Sequence, residues 1–270
     1  MWIDTHCHLD AREFDADRDT VVEQARAAGV NHIVIPAVAR WNFDTVRALA
    51  HRHGGCSYAL GIHPLCAAQA SDEDLAELRR QVAASMDDPR FVAVGEIGLD
   101  FFIPDPNVER QNAVYQAQLR LAREFDLPVL MHVRKSQDQV RSAAAKAGVR
   151  GIAHAFNGST DQARRYVDAG FKLGFGGVFT FSRANRVRRL AAEVPVEAIV
   201  LETDAPDLAP AWLSDDQFGA QVGTRNAPAE VAGIAASLAQ LRGITIEALA
   251  DQARRNTIEA IPRLASLLEA

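Results

Sequence analysis

The sequence predicts an α/β fold of the (β/α)8 TIM-barrel type, built as a single domain over residues 1–270. Eight short apolar, β-branched segments alternate with amphipathic stretches, the pattern of repeated βα units around a parallel sheet. The C-terminal ends of strands one, three, four, five, six and eight each carry a His, Glu or Asp, as in a closed barrel whose mouth gathers side chains from many strands. No GxGxxG or P-loop follows the first strand, which weighs against an open, doubly wound sheet with one switch point. Barrels of this kind commonly run to about 250 residues, so the length does not demand a second domain.

The strands are read at 2–6, 31–37, 58–63, 91–97, 128–133, 151–156, 171–176 and 199–203. Helical patterns fall near 18–28, 43–53, 72–86, 108–125, 137–147, 160–169 and 184–193, and two more follow strand eight. Ser71 and Ser159 stand where an N-cap hydroxyl would take up free backbone N–H groups. Gly29, Gly54, Gly148 and Gly170 stand where a left-handed residue would close a helix.

Hydrophobic residues make up 48% of the chain and charged residues 24%, close to globular averages. No run of about 18 apolar residues exists to span a bilayer, and the N-terminus lacks the basic head and apolar core of a signal peptide. A cytoplasmic protein without membrane contact is expected, and nothing points to an obligate protein partner. Cys7, Cys56 and Cys66 match neither a structural zinc motif nor a disulfide framework, which suits a reducing compartment. The net charge of −6 excludes a broad basic surface that grips many phosphates, so any nucleic acid is expected to bind locally. Lysines are few, at 135, 146 and 172, so positive charge resides mostly in arginine, which holds phosphate oxygens in bidentate fashion.

His6 and His8 are two residues apart at the end of strand one, so both imidazoles can face the barrel mouth while Cys7 between them packs the other way. Glu96 lies in the apolar run Val94-Gly95-Glu96-Ile97-Gly98, where an unpaired charge would cost several kcal/mol, so it needs a cation. His132, His154 and Asp204 close three further strand-like segments. Each of these taken singly is more often a hydrogen-bonded core polar group than a ligand. Six of them at matching strand ends have no packing explanation, and four imidazoles with two carboxylates exceed what one tetrahedral ion needs. Two divalent ions, of Mg, Mn or Zn type, are the natural reading, with Glu96 as candidate bridge and Asp204 holding one metal and orienting the attacking water.

Asp4-Thr5-His6-Cys7-His8-Leu9, Gly61-Ile62-His63-Pro64, Gly95-Glu96-Ile97-Gly98-Leu99-Asp100, Leu127-Pro128-Val129-Leu130-Met131-His132-Val133-Arg134, His154-Ala155-Phe156-Asn157-Gly158 and Glu202-Thr203-Asp204-Ala205-Pro206 resemble, in order and spacing, the TatD family of metal-dependent deoxyribonucleases. The resemblance covers nearly the whole chain. It implies a TIM barrel, two divalent metals and hydrolysis of phosphodiester bonds in DNA, in several members as a 3′–5′ exonuclease. By position it implies His6, His8, Glu96 and Asp204 around one metal and Glu96, His132 and His154 around the other, with Asp204 also the general base. His63 resembles a family histidine that hydrogen-bonds the scissile phosphate; the plainer reading is a ring held by the Pro64 turn.

Arg134 shares the face of His132 and can pair with a phosphate, or equally with Asp100 or Glu202. Glu202 shares the face of Asp204 and is expected to support an imidazole from behind more than to bind substrate. Asn226 is a further expected substrate contact. Two departures from the family pattern lie near the mouth: Arg225-Asn226-Ala227-Pro228 lacks the acid usual at 227, where it would brace the Arg or the helix start, and Leu65 replaces a common His. Phe101, Phe102, Phe156 and Phe179 lie near strand ends, where they can stack on bases but more often line a pocket. His32, His51 and His53 carry no expected role.

Two other functions fit the same residues. An amidohydrolase or esterase acting on an amide, lactone or aminoacyl ester would use the same metal chemistry, although no lysine lies in strands one to five to bridge the metals. A non-catalytic, metal-dependent nucleic-acid-binding protein is disfavoured by the full ligand set.

Overall fold

The computed structural model describes residues 1–213 and 224–268. Eight strands alternate with helices: β1 (Trp2–Asp4), α1 (Arg18–Ala27), β2 (Val30–Pro36), α2 (Phe43–Arg52), β3 (Cys56–Leu60), α3 (Asp72–Ala84), β4 (Phe91–Asp100), α4 (Val108–Glu124), β5 (Val129–Arg134), α5 (Gln137–Ala147), β6 (Gly151–Ala153), α6 (Thr160–Asp168), β7 (Lys172–Phe175), α7 (Asn185–Glu193), β8 (Ile199–Leu201), α8 (Val231–Arg242) and α9 (Ile246–Ala260). The strands pair in sequence order, all parallel. The seam between β8 and β1 is drawn together by the Thr5 N–H donating to the Leu201 carbonyl (3.0 Å) and the Asp204 N–H donating to that of His6 (2.8 Å). The result is a nearly closed TIM barrel. Among the described residues, no helix is long and apolar enough to cross a membrane.

Alternation along the strands sorts side chains into two cores. Ile33 and Ile35 of β2 join the large core beneath the helices, whereas Val34 points into the barrel with Val92, Leu130, Ile152 and Val200. Ile261 and Leu264, just after α9, pack on that inner set and close one end of the cylinder. Moving two residues along the same parity from Leu130, Ile152 and Val200 reaches His132, His154 and Glu202. The barrel interior is therefore apolar at one end and ionisable at the other.

Ser71 and Ser159 each accept a hydrogen bond from the third residue of the following helix (Asp74 and Gln162, both 3.1 Å). Gly29, Gly148 and Gly170 have positive φ; at the end of α2 the left-handed residue is Gly55 (φ +73°), not the expected Gly54. His53 already leaves the helix in extended conformation, which moves the turn one residue on. His32 lies inside β2, buried and hydrogen-bonded to Ser57 (2.9 Å).

Strands one, three, six and eight are shorter at their C-terminal ends than the periodicity predicts. Ala155 (φ +44°) and Asp204 (φ +59°) adopt left-handed backbone, which an extended ladder cannot continue. The residues lost from the ladder include His6, His63 and His154, so the chain breaks its regular pairing where it presents polar groups to the mouth.

Candidate metal centre

The ionisable end of the barrel brings His6, His8, His63, Glu96, His132, His154 and Asp204 together, although they come from six separate strand ends. Glu96 lies at the centre, with its side chain only 2% exposed. Its Oε2 is 3.2 Å from His6 Nε2 and 3.4 Å from His8 Nε2, and each of these nitrogens is 3.6 Å from Asp204 Oδ1. Its Oε1 faces the other way, 2.9 Å from His154 Nε2, 3.0 Å from His132 Nδ1 and 3.3 Å from His63 Nε2.

The spacing of the first group fits a cation. Donors about 2.0–2.1 Å from a tetrahedral ion lie roughly 3.3 Å apart, and the four distances of 3.2–3.6 Å lie near that value, only the shortest being a hydrogen bond as well. His6–His8–Asp204, His6–Glu96–His154 and His63–Glu96–His132 each present three donor atoms within 4.8 Å of one another and could hold a metal ion. The rings are also tightly stacked, with His6 and His154 nearly parallel at 3.9 Å between centroids. Unless a cation separates their donors, five imidazoles share one carboxylate.

The electrostatics follow from that crowding. Burial, with the adjacent His154 acting in the same sense, pushes His6 down to about 3. Burial also works against charged His8 and His154, but the carboxylates prevail: Glu96 and Asp204 hold His8 at about 9 and His154 at about 10. Glu96 is held well below the usual carboxylate range, its burial outweighed by His63, His154 and His6.

Supporting groups fix the rings. His132 Nε2 is 3.0 Å from Asp100 Oδ2, so with an N–H directed at Asp100 the Nδ1 lone pair faces the centre. Sequence reasoning offered Asp100 only as a partner for Arg134; its reach to His132 depends on the register that sets Gly98 of β4 beside His132 of β5. His63 Nδ1 accepts the Leu65 N–H (3.1 Å), which leaves Nε2 as the protonated nitrogen and makes that edge a donor. Asp4, fully buried, accepts from the Thr203 hydroxyl (2.5 Å), the Thr203 N–H (2.9 Å) and the His6 N–H (3.2 Å). It thus ties the His6 and Asp204 arms together.

Glu202 Oε1 accepts the Ala155 N–H (2.5 Å) and lies 3.9 Å from His154 Nδ1; burial pushes its carboxyl up to about 8. Gly174 makes room for it: a Cβ there would fall 2.0 Å from Glu202 Oε2. Gly174→Ala is expected to destabilise the fold by about 1–3 kcal/mol, as overpacking does. A denaturation midpoint equal to that of the parent protein would show that the carboxyl has another place to go.

Other expected contacts resolve differently. Arg134 is exposed and pairs with neither Asp100 nor Glu202; its guanidinium lies 4.2 Å over the Phe102 ring. Asn226 is placed away from the cleft wall: fully buried, it donates to the carbonyls of Thr203 (2.9 Å) and Asp207 (2.8 Å), so its amide is spent on the backbone around Asp204 and not on substrate. Arg225 needs no acid at 227, because Asp17 grips it through two 2.7 Å bonds. Phe156 and Phe179 are core residues, whereas Phe102 is 54% exposed. Cys7 packs in the core as expected.

A parallel barrel with imidazoles and carboxylates converging at the C-terminal rim defines a class, the metal-dependent hydrolases built on this cylinder. Within that class the chain belongs to the TatD family: the profile described as TatD related DNase matches residues 3–261. YjjV of Escherichia coli K12, an uncharacterized metal-dependent hydrolase, is 38% identical over 258 residues, covering 95% of this chain and 96% of its own. The crystal structure of YjjV superposes with a TM-score of 0.88 over 97% of this chain and 98% of that one, at 36% identity. Human deoxyribonuclease TATDN3 is 30% identical over 277 residues, covering 99% and 97% of the two chains.

Proposed function

We propose that this metal-dependent hydrolase holds two divalent cations at the barrel rim and cleaves phosphodiester bonds of DNA, removing nucleotides from the 3′ end. The observation that carries the reading is the two-sided Glu96 carboxylate, with Oε2 among His6, His8 and Asp204 and Oε1 between His132 and His154. His6, His8, Asp204 and one Glu96 oxygen would hold one cation; His132, His154 and the other oxygen would hold the second. Once bound, the pair supplies Lewis acidity that lowers the pKa of water and neutralises charge on the departing oxygen.

The chain's own groups do the rest. The Asp204 side chain is 15% exposed, against 2% for Glu96, so it is the carboxylate able to reach and deprotonate an attacking water. His63 Nε2–H donates to a non-bridging phosphate oxygen, and Arg134 adds a cation at the mouth. Asp100 braces His132, and Glu202 places a carboxyl 3.9 Å behind His154. The family's description and the name of the human relative favour DNA as substrate. Trp41, 73% exposed beside the cleft, offers a ring on which an unpaired base can stack.

The test is chelation followed by restoration with Mg²⁺, Mn²⁺ or Zn²⁺, on oligonucleotides labelled at either end. Stripped protein is expected to lose activity by roughly a thousandfold and regain it with about two equivalents of metal, releasing 3′ label first. Full activity without metal overturns the reading, and faster turnover of amides or lactones than of DNA moves the protein to the amidohydrolases.

A further inference from the structure

Beside the metal centre lies a second cavity of about 510 Å³, which adjoins the cavity of about 560 Å³ over the cluster along walls shared at Arg134, Ala155, Asn157, Asp204 and Leu208. Arg134, Lys135 and Arg186 line it, all exposed. Several surface arginines of this acidic chain pair with a carboxylate, among them Arg18, Arg40, Arg79, Arg80 and Arg225. Among the described residues, none of the three cations at this cavity lies within ion-pair distance of a carboxylate, although Arg134 bears electrostatically on Asp100.

Two of them also bear on the same aromatic side chain. Arg134 and Lys135 share one ring, with the guanidinium 4.2 Å and the Lys135 Nζ 4.7 Å from the Phe102 centroid. Lys135 adopts left-handed backbone (φ +53°), an uncommon conformation for a side chain of its length. Behind the cations the wall turns apolar, with Phe156, Val178, Phe181 and Val187. A ligand for this cavity therefore has an anionic head and a flat or apolar body.

We propose that the cavity is a second phosphate subsite, which seats the nucleotide adjoining the scissile bond of an unpaired strand. Lys135 and Arg186 bind its backbone phosphate, and its sugar and base pack on the apolar wall. A paired base would bring a second strand for which a recess of this size has no room. The inference rests on the phosphodiesterase reading, which it extends from one phosphate to two.

The experiment compares the metal-loaded parent protein with the Lys135→Gln/Arg186→Gln double variant, which removes charge while keeping side-chain length. Binding of a fluorescent, phosphorothioate-linked tetranucleotide is followed by anisotropy across a salt series. Hydrolysis of a chromogenic diester with a single phosphate reports separately on the metal centre. The double variant is expected to bind the tetranucleotide about tenfold more weakly, with a salt slope smaller by about 1.4 for two lost contacts to a single strand. Its turnover of the small diester should stay within about twofold of the parent, as suits groups that meet only the neighbouring phosphate. Equal affinity in the two proteins, or no binding by the parent, overturns the subsite. So does a deoxynucleoside 5′-monophosphate that binds the parent as tightly as the tetranucleotide, since the cavity would then hold released product. Binding without cleavage of the unmodified tetranucleotide keeps the subsite and removes DNA hydrolysis instead.

Discussion

Glu96→Gln is expected to lower metal content from two ions to one or none and to cut hydrolysis by about a thousandfold or more, the several kcal/mol that cation assistance supplies. The amide fills the same volume, so the barrel should still fold. It carries no charge, however, and offers only one good acceptor where the carboxylate presents one oxygen to each histidine group. The surrounding imidazoles also lose the anion that gathers them. Elemental analysis with a turnover assay checks the outcome, and a variant with full metal content and near-parental rate would show that Glu96 is no bridge.

Asp204→Asn separates binding from chemistry. Its Oδ1 remains able to face His6 and His8, while the group that accepts a proton is gone. Hydrolysis is expected to fall by about 10²–10⁴-fold, the range for loss of a general base, with most of the metal retained. The contrast between the variants is the useful result: Glu96→Gln loses ions and rate together, Asp204→Asn mainly rate. Unchanged turnover in Asp204→Asn would remove that carboxylate from the mechanism.

Most of the barrel was legible because its periodicity is local. Which strand face looks inward was not: Ile33, Val34 and Ile35 are all apolar, and only packing sends Val34 into the barrel and its neighbours under the helices. His6 and His8 meet Glu96 as their spacing implies, although β1 ends at Asp4. What escaped the sequence depends on strand register, on distant partners or on the exact course of a turn. The hold of Asp100 on His132 requires the β4–β5 register, and the tautomer of His63 requires the Leu65 backbone. Asn226 read as a polar group near the mouth, but its amide is consumed by the loop after β8. The ion pair of Arg225 with Asp17 joins residues 208 apart, so the missing acid at 227 looked more consequential than it is.

The grip of Asp4 on Thr203 crosses 199 residues, from the first strand to the tail of the last. During synthesis the four imidazoles and Glu96 emerge long before Asp204 and its anchor. A nascent chain stopped anywhere short of that point carries its histidines without the acid that would activate water. On the proposed mechanism, hydrolytic competence is thereby tied to closure of the cylinder and waits until its two distant stretches have met.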